Sequence, residues 1–109
     1  MLIDFNTFKE ITIPGLNGGS GSVSAKMSPF SGGKAMTAKI PAGAGIGMHR
    51  HETSVDINYV ISGTGRALCG EAEELLSPGT CHICPVGSSH CIENTGSDDL
   101  VLFTAVCEI

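Results

Sequence analysis

From Lys34 onward the apolar positions of this chain fall in short runs cut apart by Gly and Pro, not at helical spacing. Ala35 to Ile40 is one run, stopped by Pro41-Ala42-Gly43. Val55 to Ile61 is β-branched and apolar and stops at Ser62-Gly63. Gly65 to Cys69 and Glu73 to Leu76 flank Gly70 as a hairpin would. Thr80 to Cys84, His90 to Glu93 and Leu100 to Cys107 complete the set. Short strands separated by turn residues predict a sandwich or barrel. The connections are too short for parallel crossovers, so the sheets are expected to be antiparallel.

The first third of the chain reads differently. Leu2, Ile3, Phe5 and Phe8 fit one helical turn or an edge strand. Residues 15–33 are rich in Gly and Ser and are expected to be irregular, with at most a short strand over Ser22 to Lys26. The expected organisation is one domain: an N-terminal arm and irregular segment over 1–34, then a β-barrel over 35–109.

Composition narrows the function classes. The chain has 109 residues, 41% hydrophobic and 16% charged, which is one folded domain and not a disordered segment. Net charge is −5, and the six Lys and Arg residues are scattered, so no stripe exists to neutralise a phosphate backbone and nucleic acid is not an expected partner. Met1 to Glu10 lacks a basic segment followed by an apolar one, so it does not read as a secretory signal. Leu100 to Cys107 is too short to span a bilayer. A cytoplasmic protein with no membrane partner is the expectation. Five Cys, an odd count, point to free thiols. Cys81-His82-Ile83-Cys84 spells C-x-x-C, but Pro85 and Gly87 follow where a helix would be needed to activate a thiol. These cysteines are expected to be small buried hydrophobes and not a redox pair or half of a zinc site.

Three of the four His carry the candidate chemistry. His49-Arg50-His51 places two imidazoles on one face of a strand, where both can address one point. Imidazole is the commonest metal ligand, and two of them make half a site. On its own an H-x-H on an exposed strand is ordinary. His90 lies further along, beyond two turns and a hairpin.

Spacing ties the three together. Gly43, five residues, His49, one, His51, four, Asp56, six, Gly63 is the first half of the pattern. Gly79, five residues, Pro85, one, Gly87, two, His90, three, Asn94 is the second. The chain thereby resembles the cupin superfamily, whose motifs are G(X)5HXH(X)3,4E(X)6G and G(X)5PXG(X)2H(X)3N. Every position agrees except that Asp56 stands where the family has Glu. With four His in 109 residues, three preset positions are all His by chance on the order of once in twenty thousand. The resemblance covers residues 43–94 tightly and gains nothing from residues 1–34.

The resemblance implies an all-β fold, a double-stranded β-helix or jelly-roll barrel of antiparallel strands, of the small RmlC-like type. It implies one divalent transition metal per chain (Fe, Mn, Ni, Cu, Co or Zn), held by His49, His51, Asp56 and His90. It also implies a homodimer, with Leu2, Ile3, Phe5 and Phe8 as an apolar arm to be covered. Asp56 is shorter than Glu by about 1.5 Å of reach. Three arrangements follow: direct binding after a strand shift, a grip on metal-bound water, or a three-His centre with Asp56 free as the catalytic base. Asn94 shares a face with His90 and is expected to fasten the barrel wall or touch a ligand. Arg66 is a weaker candidate for an anionic ligand. Tyr59 is expected in the core, and Met27, Met36 and Met48 in the core or the cavity lining. Fold does not fix function here. The leading expectation is a metal-dependent enzyme on a small organic substrate, with oxygenase, lyase or isomerase chemistry. The alternative is a non-catalytic small-molecule binding or sensor protein.

Overall fold

The computed structural model describes residues 1–109. Ten strands form two antiparallel sheets: β1 (Ile11–Pro14), β2 (Ser22–Phe30), β3 (Gly33–Ile40), β4 (Gly45–Arg50), β5 (Ser54–Ser62), β6 (Gly65–Cys69), β7 (Ala72–Leu76), β8 (Cys81–Cys84), β9 (Ser89–Asn94) and β10 (Leu100–Glu108). One sheet runs β1-β2-β3-β10-β5-β8 and the other β4-β9-β6-β7. The chain crosses repeatedly between the sheets, and this rolls them into the expected jelly-roll barrel. No helix is long and apolar enough to cross a membrane.

The seven strands expected over 35–107 all form, with ends differing by one or two residues. The first third departs from expectation. Phe5–Thr7 is a single 3-10 turn capped by the Asp4 side chain. Residues 15–21 are irregular as expected, with Gly15, Asn17, Gly18 and Gly21 in left-handed backbone, but the strand beyond them is longer than expected: β2 spans nine residues and pairs with β3 from Ser24↔Lys39 to Phe30↔Gly33. Val23 and Ala25 on this strand are fully buried. Ser, Gly and Lys at the intervening positions hide the period-two pattern, and pairing with β3 overrides weak intrinsic propensity.

Register sorts the interior into layers. Ala38, Leu102 and Val60 lie abreast across β3, β10 and β5. Two residues along come Met36, Thr104, Asn58 and His82. Two further along come Lys34, Val106, Asp56 and Cys84. The same inward face therefore passes from hydrocarbon to polar and charged side chains along the strands. The apolar end, with Ile40, Val60, Ala67, Ile92, Leu100 and Leu102 at or near zero exposure, is the core. The polar end is the mouth of the barrel.

Several expected core residues lie elsewhere. Tyr59 alternates with the inward Asn58 and Val60, so it faces outward and is 45% exposed. Met48 is 53% exposed for the same reason of strand parity. Cys81 is exposed and Cys84 buried, because residues three apart on a strand point to opposite faces. The C-x-x-C thus cannot close on one ion, and all five cysteines are free.

Candidate metal centre

The β4–β9 ladder sets the first two histidines. His49 and His90 are direct cross-strand partners, and the ladder shifts register between Ile46 and His49, a bulge that re-aims the His49 ring. His51 follows the end of β4, where its N–H bonds the Ser88 carbonyl. Asp56 comes from β5 in the facing sheet. Gly47 holds the entry to this segment. Its carbonyl accepts from His49 Nδ1 at 2.8 Å, and a Cβ there would collide with the Asn17 carbonyl, so only glycine lets the 3-10 turn Leu16–Gly18 lie against β4.

The three Nε2 atoms form a nearly equilateral triangle: His49 to His51 3.0 Å, His51 to His90 3.1 Å, His90 to His49 3.1 Å. Asp56 Oδ2 stands 3.0 Å from His90 Nε2 and 3.4 Å from His51 Nε2. The four donor atoms all lie within 4.8 Å of one another. Nitrogens about 2.1 Å from a shared centre and at right angles to each other stand about 3.0 Å apart, which is this spacing. Each ring is turned so that Nε2 faces the cluster: His49 Nδ1 donates to Gly47, His51 Nδ1 pairs with the Ser54 hydroxyl at 3.2 Å, and His90 Nδ1 faces His82 Nε2 at 2.9 Å. Asp56 Oδ1 is buried with no hydrogen-bond partner, a costly arrangement without a cation or ligand to satisfy it. The residues fit one divalent metal ion.

The electrostatics favour the same state. Burial lowers His51 below the usual imidazole range, with the other two rings adding to the effect and Asp56 opposing it. Burial works to raise the Asp56 carboxyl, but His90, Asn58 and His51 beside it outweigh burial and hold it below the usual carboxylate range. Neutral imidazoles and an ionised carboxylate are the forms that bind a metal. Nearby, burial and the adjacent Cys69 thiol push Cys84 up to about 12, so it is not a reactive thiolate.

A cavity of about 140 Å³ opens above the centre. Its wall is largely apolar, with Ile13, Met27, Met36, Ile46 and Val106, and its polar members besides the centre include Lys34, Asn58 and Thr104. Thr104 Oγ1 donates to Asn58 Oδ1 at 2.8 Å, so those two are committed to each other. Met27 and Met36 line the cavity as expected, and Ile13, Leu16 and Asn17 bring the first third of the chain into it.

Other candidates lie apart. Arg66 faces outward and bonds Glu93 at 3.0 Å, with Glu73 at 3.7 Å. Asn94 donates to the Ile40 and Asp98 carbonyls at 2.7 and 2.8 Å and accepts from the Gly96 N–H, so it fastens the wall. Glu52, the nearest other acid in sequence, is exposed beside Arg50. The fourth histidine, His82, is buried behind His90 and joined to Glu74. Nothing in the spacing of the cupin-like motifs connects His82 with the centre. The one available signal was its period-two spacing from Cys84 on a strand.

Comparison with known proteins agrees with this picture. The chain is 32% identical to the oxalate-binding protein of Thermotoga maritima over 68 residues, 62% of this chain and 56% of that protein's length. The crystal structure of a predicted oxalate decarboxylase from Thermotoga maritima superposes with a TM-score of 0.94 over the whole of both chains at 24% identity. An RmlC-like cupin from Shewanella frigidimarina superposes with a TM-score of 0.81, covering 99% of this chain and 90% of that one at 16% identity. These two share the fold. The family model described as a cupin domain matches residues 36–106. Since that match takes in the ladders supplying all four converging side chains, the chain belongs to the cupin domain family.

Proposed function

We propose that the protein is a metal-dependent cupin that takes up a small organic acid and acts on it beside His49, His51, Asp56 and His90. The observation that carries this reading is the placement of four convergent donors at the floor of an apolar cavity whose lining includes one cation, Lys34. A divalent transition ion held there would serve as a Lewis acid toward a carboxylate or carbonyl oxygen. Lys34 lies one layer-mate across from Asp56 through Val106 and offers an ammonium to a second anionic group. The apolar wall excludes water and strengthens both attractions. Asp56 is the one carboxylate in the cavity lining and is the acceptor for a ligand proton. A cavity of about 140 Å³ is well below the roughly 300–1,000 Å³ of pockets for drug-sized ligands, so the ligand is small. The oxalate-binding relative supports a small dicarboxylate. Oxygenase, lyase and isomerase chemistry all suit such a site.

A second reading is binding without turnover. It is favoured by the commitment of Asn58 and Thr104 to each other, which leaves Asp56 as the one acid-base group besides the histidines and Lys34.

The test loads the protein with Fe(II), Mn(II), Ni(II) or Zn(II) and measures binding and conversion of oxalate and other small carboxylates. We expect His90→Ala to lose the metal. Lys34→Met should keep the metal and weaken anion binding about tenfold, in line with about 1.4 kcal/mol for one screened charge. Metal retained at full occupancy in His90→Ala would overturn the site. Saturable binding with no conversion under any metal would favour the second reading.

A further inference from the structure

Behind the centre, a hydrogen-bonded line runs from His90 to the surface. His90 Nδ1 and His82 Nε2 are 2.9 Å apart, and His82 Nδ1 and Glu74 Oε1 are 2.7 Å apart. Both imidazole side chains are fully buried, while the Glu74 side chain is 48% exposed. The line joins the two sheets: Glu74 sits on β7 at the edge of the four-stranded sheet and His82 on β8 at the edge of the six-stranded one.

Donor and acceptor roles along the line are fixed by its outer end. An ionised carboxylate can only accept, so His82 Nδ1 carries a proton and donates it to Glu74. The neutral His82 ring then has a bare Nε2, which can only accept. His90 must therefore carry its proton on Nδ1, and its Nε2 lone pair is turned toward His49, His51 and Asp56. The opposite arrangement, with a proton on His82 Nε2, would force the His90 proton onto Nε2 and into the cluster. His49 is set locally by the Gly47 carbonyl, which can only accept, while His51 Nδ1 faces the Ser54 hydroxyl, which can accept or donate. His90 alone is set by a long-range pair.

We propose that Glu74 and His82 are positioning residues for the metal centre, holding His90 in the one tautomer that can bind a metal and raising its donor strength. The inference rests on the reading that His90 is a metal ligand. Partners of this kind typically govern 10–100-fold in metal affinity.

The experiment measures Zn(II) affinity by competition with a chromophoric chelator for wild type, Glu74→Leu, Glu74→Gln, His82→Gln and His90→Ala. In parallel, ¹⁵N NMR of the imidazoles in Zn-loaded wild type and Glu74→Leu reads the tautomers directly. Glu74 is half exposed on an edge strand, so its variants should fold. We expect wild-type His82 to carry its proton on Nδ1 with Nε2 bare. Glu74→Leu should bind Zn(II) about 10–100-fold more weakly and show mixed His82 tautomers. Glu74→Gln, whose amide oxygen still accepts from Nδ1, should lose less. His82→Gln, whose oxygen can still accept from His90, should keep measurable binding. A wild-type His82 protonated on Nε2, or Glu74→Leu within twofold of wild type, overturns the proposal. If His90→Ala loses Zn(II) while Glu74→Leu does not, this inference fails and the site stands. If His90→Ala binds as wild type does, the site itself fails.

Discussion

At the scale of single residues, Asp56 carries most of the argument. Its side chain is one methylene shorter than the Glu of the family pattern, yet Oδ2 stands 3.0 Å from His90 Nε2. Its carboxylate and the three Nε2 atoms form one group of four donor atoms within 4.8 Å of one another. Its pairing position opposite Cys84 and Val106 brings the β5 backbone close enough for the short side chain to reach. Asp56 and His51 are both held below their ordinary ranges, and this sets the acid behaviour of the metal-free protein. In each case the unfolded chain takes up a proton at higher pH than the folded one, so stability rises with pH. The contribution of His51 is complete above the usual imidazole range and is lost as pH falls through its depressed folded value. The contribution of Asp56 is complete above the usual carboxylate range and is lost at still lower pH. Thermal melts of chelator-treated protein should therefore be steady from pH 8 to 7 and drop toward pH 5 and again toward pH 3. A midpoint that holds or rises between pH 7 and pH 5 would contradict this.

At the scale of elements, β10 is the strand on which the barrel depends. It is hydrogen-bonded to β3 on one side and β5 on the other, and through their register it aligns the three inward layers. Leu102 sits in the apolar layer between Ala38 and Val60 at zero exposure. Leu102→Ala should lower unfolding free energy by about 2–5 kcal/mol, since a cavity adds to the lost transfer energy. Denaturant midpoints with an unchanged slope will check it. A cost under about 1 kcal/mol would mean that the layer relaxes around the hole. Metal binding by the folded fraction should persist, because the donors lie toward the other end of the strands.

At the scale of the whole molecule, the six-stranded sheet turns an apolar outer surface to its surroundings. Tyr59, Ile61, Phe103 and Ile83 are 37–50% exposed, and they lie on the neighbouring strands β5, β10 and β8. Phe103 is cross-strand to Tyr59, and Ile83 to Ile57. Leu2 near the N-terminus is 92% exposed as well. Apolar groups grouped in this way favour association. We propose a homodimer that covers them, and light scattering at high micromolar concentration should give twice the chain mass. Replacing Tyr59 and Phe103 by Ser together should shift the protein toward monomer without loss of metal. A wild-type monomer under these conditions would sink the proposal.

The sequence by itself determined seven of the eight strands from β3 onward, all but β4, together with their antiparallel pairing and the relation of His49, His51, Asp56 and His90. Turns and donors of this family lie at fixed spacings along the chain, and spacing is a one-dimensional quantity. It left β2 short, ending at Lys26 and not at Phe30, because Ser24, Lys26 and Ser28 carry little strand signal until β3 pairs with them. It also placed Tyr59 inside, because the parity of a strand decides which face is inward only once a neighbouring sheet exists. Tertiary structure alone decided the Glu74–His82–His90 line. Its members come from β7, β8 and β9, the first two at the edges of different sheets, and no local rule brings such edges together. The same holds for Lys34, which reads as a scattered surface charge until three strands stack it in one layer with Asp56 above the core. Contacts between side chains distant in sequence depend on how the barrel closes, and closure is a property of the packed sheets and not of any segment within them.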